Sequence, residues 1–271
     1  MTEDRLLCRC SAAGFLGGSG IQSGKQVGGF TLIELLIVMA IMGIIASLLL
    51  PALDSGRLKS KRIACQSNLR QLALSVQMYS ADSEGKLPDN RPGGDSPNIW
   101  MRGDLKHGTD ATNQVLITES KLFPYASHTG TYRCPADPSQ AYGLPRVRSY
   151  SMNGWAGSRY METANPNAKF RTFLRESELA AVGAANIWLI QDEHEASIDD
   201  AWFFVTMDDT QPFANFPATR HAHAYSSNFG DGHVELTSLR DPESQQFGQD
   251  HERFSARNLD WVRLKQVTTV R

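Results

Sequence analysis

The chain has 271 residues, 27 basic against 29 acidic, for a formal net charge of -2. That balance excludes nucleic-acid binding driven by bulk positive charge. The length suffices for one globular domain with a real core beside any membrane segment.

Residues 1–29 are polar and rich in small residues, with Gly14, Gly17, Gly18, Gly20, Gly24, Gly28 and Gly29. From Phe30 to Leu50 the chain is apolar over 21 residues, with one charge, Glu34, at the fifth position. As a helix this segment is about 32 Å long, close to the hydrocarbon core of a bilayer. An unpaired carboxylate near the centre of that core costs roughly 2.5–3.5 kcal/mol or more. Glu34 therefore calls for a partner, or for a place near the interface that its side chain can reach by snorkelling.

Past Pro51 the helix is expected to resume. Leu58, Cys65, Leu69, Leu72, Val76 and Tyr79 fall mostly at alternating spacings of four and three, which marks one buried helical face. Arg57, Lys61, Gln66 and Arg70 occupy the opposite face. Ser83-Glu84-Gly85-Lys86-Leu87-Pro88 ends the helix with a Gly and then a Pro.

Residues 89–111 read as loop, and a short helix is expected over Ala111–Ser120. Strands are expected at Thr131–Cys134, Arg146–Met152, Asn186–Gln191, Ala201–Thr206, Tyr225–Phe229 and His233–Thr237. Arg175–Ala185 reads as helix or loop. Asp231-Gly232 between two strand-like runs is a hairpin turn. The fold class expected is α+β, a long N-terminal helix packed on an antiparallel sheet.

The run Gly28-Gly29-Phe30-Thr31-Leu32-Ile33-Glu34 resembles the cleavage and methylation signal of type IV prepilins and type II secretion pseudopilins. The resemblance implies cleavage between Gly29 and Phe30 by a prepilin peptidase and methylation of the new Phe30 amine. It makes Glu34 the assembly residue, paired with that amine on a neighbouring subunit. Glycine at the cut lets an extended backbone enter a tight protease site. Removing residues 1–29 takes away three bases and two acids, leaving -3.

Further runs resemble a processing-associated prepilin subgroup named for His, nine residues, then Asp-Gly. Here these are His221 and Asp231-Gly232. Cys65–Leu72, Tyr132–Asp137, Ser149–Gly154 and Gln191–Glu193 also resemble segments of that subgroup, and beyond Arg240 the resemblance fades. The organisation implied is a leader (1–29), a membrane and assembly helix (30–53), its amphipathic continuation (54–88), a periplasmic head (89–240) and a C-terminal extension (241–271). The implied partners are the prepilin peptidase, other pilin or pseudopilin subunits, an inner-membrane assembly platform and membrane lipid, with no nucleic acid. The expected place is the inner membrane, single-pass, with the head in the periplasm or in a filament. Arg57, Lys59, Lys61 and Arg62, after the span, argue by simple charge counting for the reverse orientation. The prepilin signal argues against it, since the peptidase needs the leader on the cytoplasmic side.

Cys8 and Cys10 leave with the leader; Cys65 and Cys134 remain on the exported side, where disulfides form. A bridge between them would close a loop of about 70 residues, worth on the order of 3–4 kcal/mol if its effect is chain entropy. The alternative is two free thiols, with Cys65 packed as a small hydrophobe.

His221 and His223, as an HxH pair on a strand joined by His233 across the hairpin, would suit a metal. The stronger reading is structural: Asp231 and Gly232 make the turn and His221 fixes the strand start, with no metal. Asp192, Glu193, Asp199, Asp200, Asp208 and Asp209 supply oxygen ligands for a possible calcium, although their spacing matches no EF-hand. No other cofactor is expected. No GxSxG, HExxH, Walker loop or GxGxxG follows the span, so an enzyme is not expected. A displayed binding module is the alternative to a filament subunit, with Trp100, Trp155, Trp202 or Trp261 stacking on a polymer if exposed.

Overall fold

The computed structural model describes residues 29–93, 96–106, 108–164, 169–211, 213–246, 255 and 257–271. Of the leader expected over 1–29, residues 1–28, with Cys8 and Cys10, lie outside the described residues. The chain divides into two compact units, Met1–Leu50 and Pro51–Arg271.

Helix α1 runs over Leu32–Asp82 with Pro51 inside it. Proline has no N–H to give the Ser47 carbonyl, one turn back, yet the helix continues. Its part in the first unit carries exposed apolar side chains, including Leu36, Ile41 and Leu48. By length and composition it suits a membrane crossing.

In the second unit, α1 buries Cys65, Leu69, Leu72, Ala73 and Val76. The predicted stripe is therefore right from Cys65 onward. Leu58, placed on the same stripe, is exposed, because the core begins only at Cys65. The helix ends where predicted: Glu84 and Gly85 take positive φ, and the Gly85 N–H returns to the Ser80 carbonyl at 2.7 Å.

The short helices are α2 (Val115–Thr118), α3 (Tyr160–Ala164), α4 (Glu176–Val182) and α5 (Leu259–Gln266). The strands are β1 (Gln140–Ala141), β2 (Leu144–Pro145), β3 (Tyr150–Asn153), β4 (Trp188–Asp192), β5 (Trp202–Phe203), β6 (Ala224–Phe229) and β7 (Val234–Ser238). β1 and β2 form a small hairpin. The main sheet has the order β5-β3-β4-β6-β7. All its pairings are antiparallel except β3 with β5, which is parallel.

The α+β architecture thus agrees with expectation, and several local readings need correction. Thr131–Cys134 is no strand; a 3₁₀ turn covers Thr129–Tyr132. Tyr132 and Cys134 are buried in the core with α1, and the Tyr132 carbonyl accepts the Ser149 N–H at 3.1 Å without extending into a strand pairing. The helix expected over Ala111–Ser120 breaks into a 3₁₀ turn at Asp110–Thr112 and the single turn of α2. Arg175–Ala185 is largely helical, and Glu178 caps α4 by accepting from the Leu174 and Arg175 N–H groups at 2.5 and 3.1 Å.

β3, β4 and β6 are buried at every residue, so the middle of the sheet is covered on both faces. One core joins α1 to Tyr132, Tyr150, Met152 and Ile190. A second gathers Trp188, Phe203, Phe216, Tyr225, Trp261 and Leu264. The register of β4 against β6 shifts between Trp188 and Ile190. Asn228 fills the gap, taking the Ile190 N–H at 2.9 Å and donating to the Leu69 carbonyl of α1 at 2.9 Å.

The described residues of 241–271 are not peripheral in space. Trp261 is fully buried, and Thr268 accepts from the Trp188 indole at 2.9 Å through its hydroxyl and from Asn153 at 2.9 Å through its carbonyl. The described part of this segment completes the second core.

Candidate functional site: the helix start and the His221 cluster

The N-terminal site is built from four residues. Thr31 precedes the first helical residue, and Glu34 sits three positions further on. Glu34 Oε2 accepts from the Thr31 N–H at 2.9 Å and from its hydroxyl at 2.8 Å, while the Glu34 N–H points to Thr31 Oγ1 at 3.3 Å. This is a reciprocal capping box, which satisfies donors that the first turn of a helix leaves open. The Thr-x-x-Glu pattern announced it in the sequence, where only the assembly and snorkelling readings of Glu34 were considered. Gly29 and Phe30 lie just before the helix in non-helical backbone, and Phe30 is 82% exposed.

The C-terminal motif does not form one site. His221 stands in a turn before β6, and Asp231-Gly232 in the turn after it, so the strand's length, about 20 Å, separates them. At the far end Gly232 has φ 91°, and Asp231 Oδ1 accepts the His233 N–H at 3.1 Å and faces His233 Nδ1 at 2.6 Å. Asp231-Gly232 is the expected hairpin turn. His233 stacks on Phe229.

The HxH-on-a-strand reading is overturned. Ala222 and His223 have φ of 58° and 55°, so His221 and His223 belong to a left-handed turn and do not share a strand face. His221 turns inward, and His233 does not join it. The imidazole Nε2 lies 3.2 Å from Cys134 Sγ and 3.8 Å from Asp192 Oδ2.

Around His221 lies a buried polar cluster that the sequence reading did not assemble. Cys65, Cys134, Asp192 and His221 present one donor atom each, all within 4.8 Å of one another. Both cysteines are free. Of the two alternatives, a bridge or two free thiols, the structure has the thiols: the Tyr150 hydroxyl donates to Cys65 Sγ at 3.3 Å, and Cys134 Sγ faces His221, so each sulfur has its own polar neighbour. Arg220 donates to Asp192 Oδ1 at 2.6 Å, to Glu195 Oε2 at 2.7 Å and to the Glu193 carbonyl at 3.0 Å.

The electrostatics follow from burial. Desolvation pushes the Asp192 carboxyl up to about 6 against the pull of Arg220. It pushes His221 down to about 4, helped by repulsion from Arg220 and Arg62. The hydrogen bond with Cys65, together with burial, raises the Cys134 thiol. Burial works against the Arg220 cation, but Asp192 and Asp137 outweigh it and hold its pKa above the ordinary guanidinium value. The neutral imidazole, the thiols and the carboxylate offer soft sulfur, borderline nitrogen and hard oxygen at one point.

Five separate short segments contribute here: Cys65; Cys134 and Asp137; Ser149 and Tyr150; Asp192 and Glu193; Arg220 and His221. Ser149 Oγ accepts the Cys134 N–H at 2.7 Å. The signal was present as separate short motifs, and only the fold brings them to one point.

The six acids considered for calcium do not converge. Asp192 pairs with Arg220, Asp199 with Lys106 at 3.3 Å and Asp209 with Lys265 at 3.2 Å. Glu193 takes Ser197 and Asn215, each at 2.8 Å, and burial raises its carboxyl to about 8. Asp200 accepts the Trp202 N–H and Asp208 the Thr210 N–H. Among the described residues, the cluster at His221 is the one group of three or more such side chains within metal-ligand reach. No tryptophan-lined groove emerges either: Trp100, Trp155 and Trp261 are buried, and the half-buried Trp202 packs on Tyr160 and Phe204.

Comparison with known proteins places the N-terminal segment. The prokaryotic N-terminal methylation motif matches residues 24–50. The chain is 35% identical over 72 residues to type II secretion system core protein G of Pectobacterium carotovorum, covering 27% of this chain and 46% of that protein. It is 34% identical over 59 residues to the protein of that name from Pseudomonas aeruginosa, covering 22% and 42%. For Klebsiella michiganensis the figures are 40% over 55 residues, covering 20% and 39%. The chain thus spans less than half the length of these relatives. No solved structure matches it. With an N-terminal methylation motif on the first part of a long apolar helix, the chain is prepilin-like and distantly related to the type II secretion core protein G.

Proposed function

We propose that this protein is a structural subunit of a type II secretion pseudopilus or a type IV pilus-like filament. A prepilin peptidase cuts it between Gly29 and Phe30 and methylates the new amine. The observation that carries the reading is the methylation motif over residues 24–50, set on a helix whose residues up to Leu50 are all exposed, apolar side chains included. Such a surface needs lipid or neighbouring helices around it. Before assembly the protein sits in the inner membrane with its C-terminal domain in the periplasm; afterwards its helix packs among those of other subunits on the assembly platform. His221 and Asp231-Gly232 support membership of the subgroup with the His-x9-Asp-Gly pattern.

The test is intact mass and N-terminal sequencing of the protein from the membrane fraction of its host. The expected chain starts at Phe30 and carries one added methyl group. A chain that keeps residues 1–29 while the peptidase is active would sink the proposal and leave a fixed membrane anchor.

A further inference from the structure

We propose that Cys65, Cys134, Asp192 and His221 form a structural metal site, and that the metal is a tetrahedral divalent cation, zinc by its donors. The four residues come from α1, the loop after the 3₁₀ turn at Thr129–Tyr132, the end of β4 and the turn before β6. All four are buried.

Geometry is the first argument. Zinc bonds of about 2.3 Å to sulfur and 2.0–2.2 Å to nitrogen or oxygen place tetrahedral ligands roughly 3.3–3.8 Å from one another. Cys134 Sγ to His221 Nε2 is 3.2 Å, His221 Nε2 to Asp192 Oδ2 is 3.8 Å, and Cys65 Sγ to Asp192 Oδ2 is 3.9 Å. These three of the six edges lie close to that range, and the other three are no longer than 4.8 Å. Two of the first three are too long for good hydrogen bonds, and a thiol is a weak donor, so the groups satisfy one another poorly without a shared cation.

The surrounding shell is the second argument. Asp192 gives Oδ1 to Arg220 at 2.6 Å and leaves Oδ2 facing the cluster. Tyr150 supports Cys65 Sγ, and the Cys134 backbone is fixed by Ser149. Ligands held by outer hydrogen bonds of this kind are oriented before the metal arrives. Charge is the third. A divalent cation that displaces one proton from each thiol leaves the net charge of this buried region unchanged, so loading adds no uncompensated charge. The set of two sulfurs, one nitrogen and one oxygen is closed, with no open position for substrate, which makes the site structural. Bound metal would tie α1 to the sheet.

The test uses the full chain, purified in detergent after expression with zinc. Elemental analysis is expected to give one zinc per chain, and peptide mapping to show Cys65 and Cys134 reduced. Cobalt in place of zinc is expected to show a thiolate-to-metal charge-transfer band and the visible spectrum of a tetrahedral site. Cys134→Ser and His221→Ala should lose the metal, while His233→Ala, at the exposed turn, should keep it. Since the first two variants risk misfolding, the stoichiometry and cobalt spectrum of the unaltered chain decide. A metal-free chain in which peptide mapping finds Cys65 joined to Cys134 by a disulfide would overturn the proposal. So would reduced cysteines that take up neither metal.

Discussion

Glu34 carries two roles that one substitution can separate. In the structure its carboxylate closes a capping box on Thr31. In a filament it would neutralise the Phe30 amine of a neighbour. Glu34→Gln keeps an acceptor for Thr31 and removes the charge, whereas Glu34→Ala removes both. Both variants should be cleaved normally, and both should fail to assemble if the amine is the partner. The measurement is filament yield by shearing and microscopy beside the mass of the processed chain. Wild-type filaments from Glu34→Gln would show that capping, worth about 1 kcal/mol, is the main contribution.

At the level of elements, α5 changes the reading of the C-terminus. Asn258 caps it by accepting from the Asp260 and Trp261 N–H groups at 3.0 and 3.1 Å. Its buried face places Trp261 4.1 Å, centroid to centroid, from Phe213. Trp261→Ala should cost about 3–5 kcal/mol, read as a lowered denaturation midpoint of the purified protein. Truncation after Arg240 should abolish cooperative unfolding, because it strips Thr268 from Trp188 and Asn153. A truncated chain that melts like the whole one would restore residues 241–271 to a dispensable extension. The helix of the spine was legible because its four-and-three spacing is local. The 3₁₀ turn at Thr129–Tyr132 was not, since apolar residues in a short run bury equally well as strand or turn.

For the whole molecule, orientation is the open physical conflict. Arg57, Lys59, Lys61 and Arg62 would hold the second unit in the cytoplasm by the usual charge rule, while the proposed processing at Gly29 needs the opposite. A reporter fused after Arg271 is expected to be active only when exported. A fusion active only in the cytoplasm would reverse the topology and remove Gly29 from the peptidase's reach.

What the sequence by itself determined is local. The apolar run, the methylation motif and the α1 stripe are contiguous patterns, each set within a few helical turns, and the β6–β7 hairpin follows from Asp231-Gly232. What only the tertiary structure decided is which distant residues meet. Cys65 and Asp192 are 127 positions apart, and Cys134 and His221 are 87 apart. No periodicity encodes those encounters. They arise because α1, the middle strands and the turn at His221 pack around one core, and side chains that look isolated along the chain then share one buried volume.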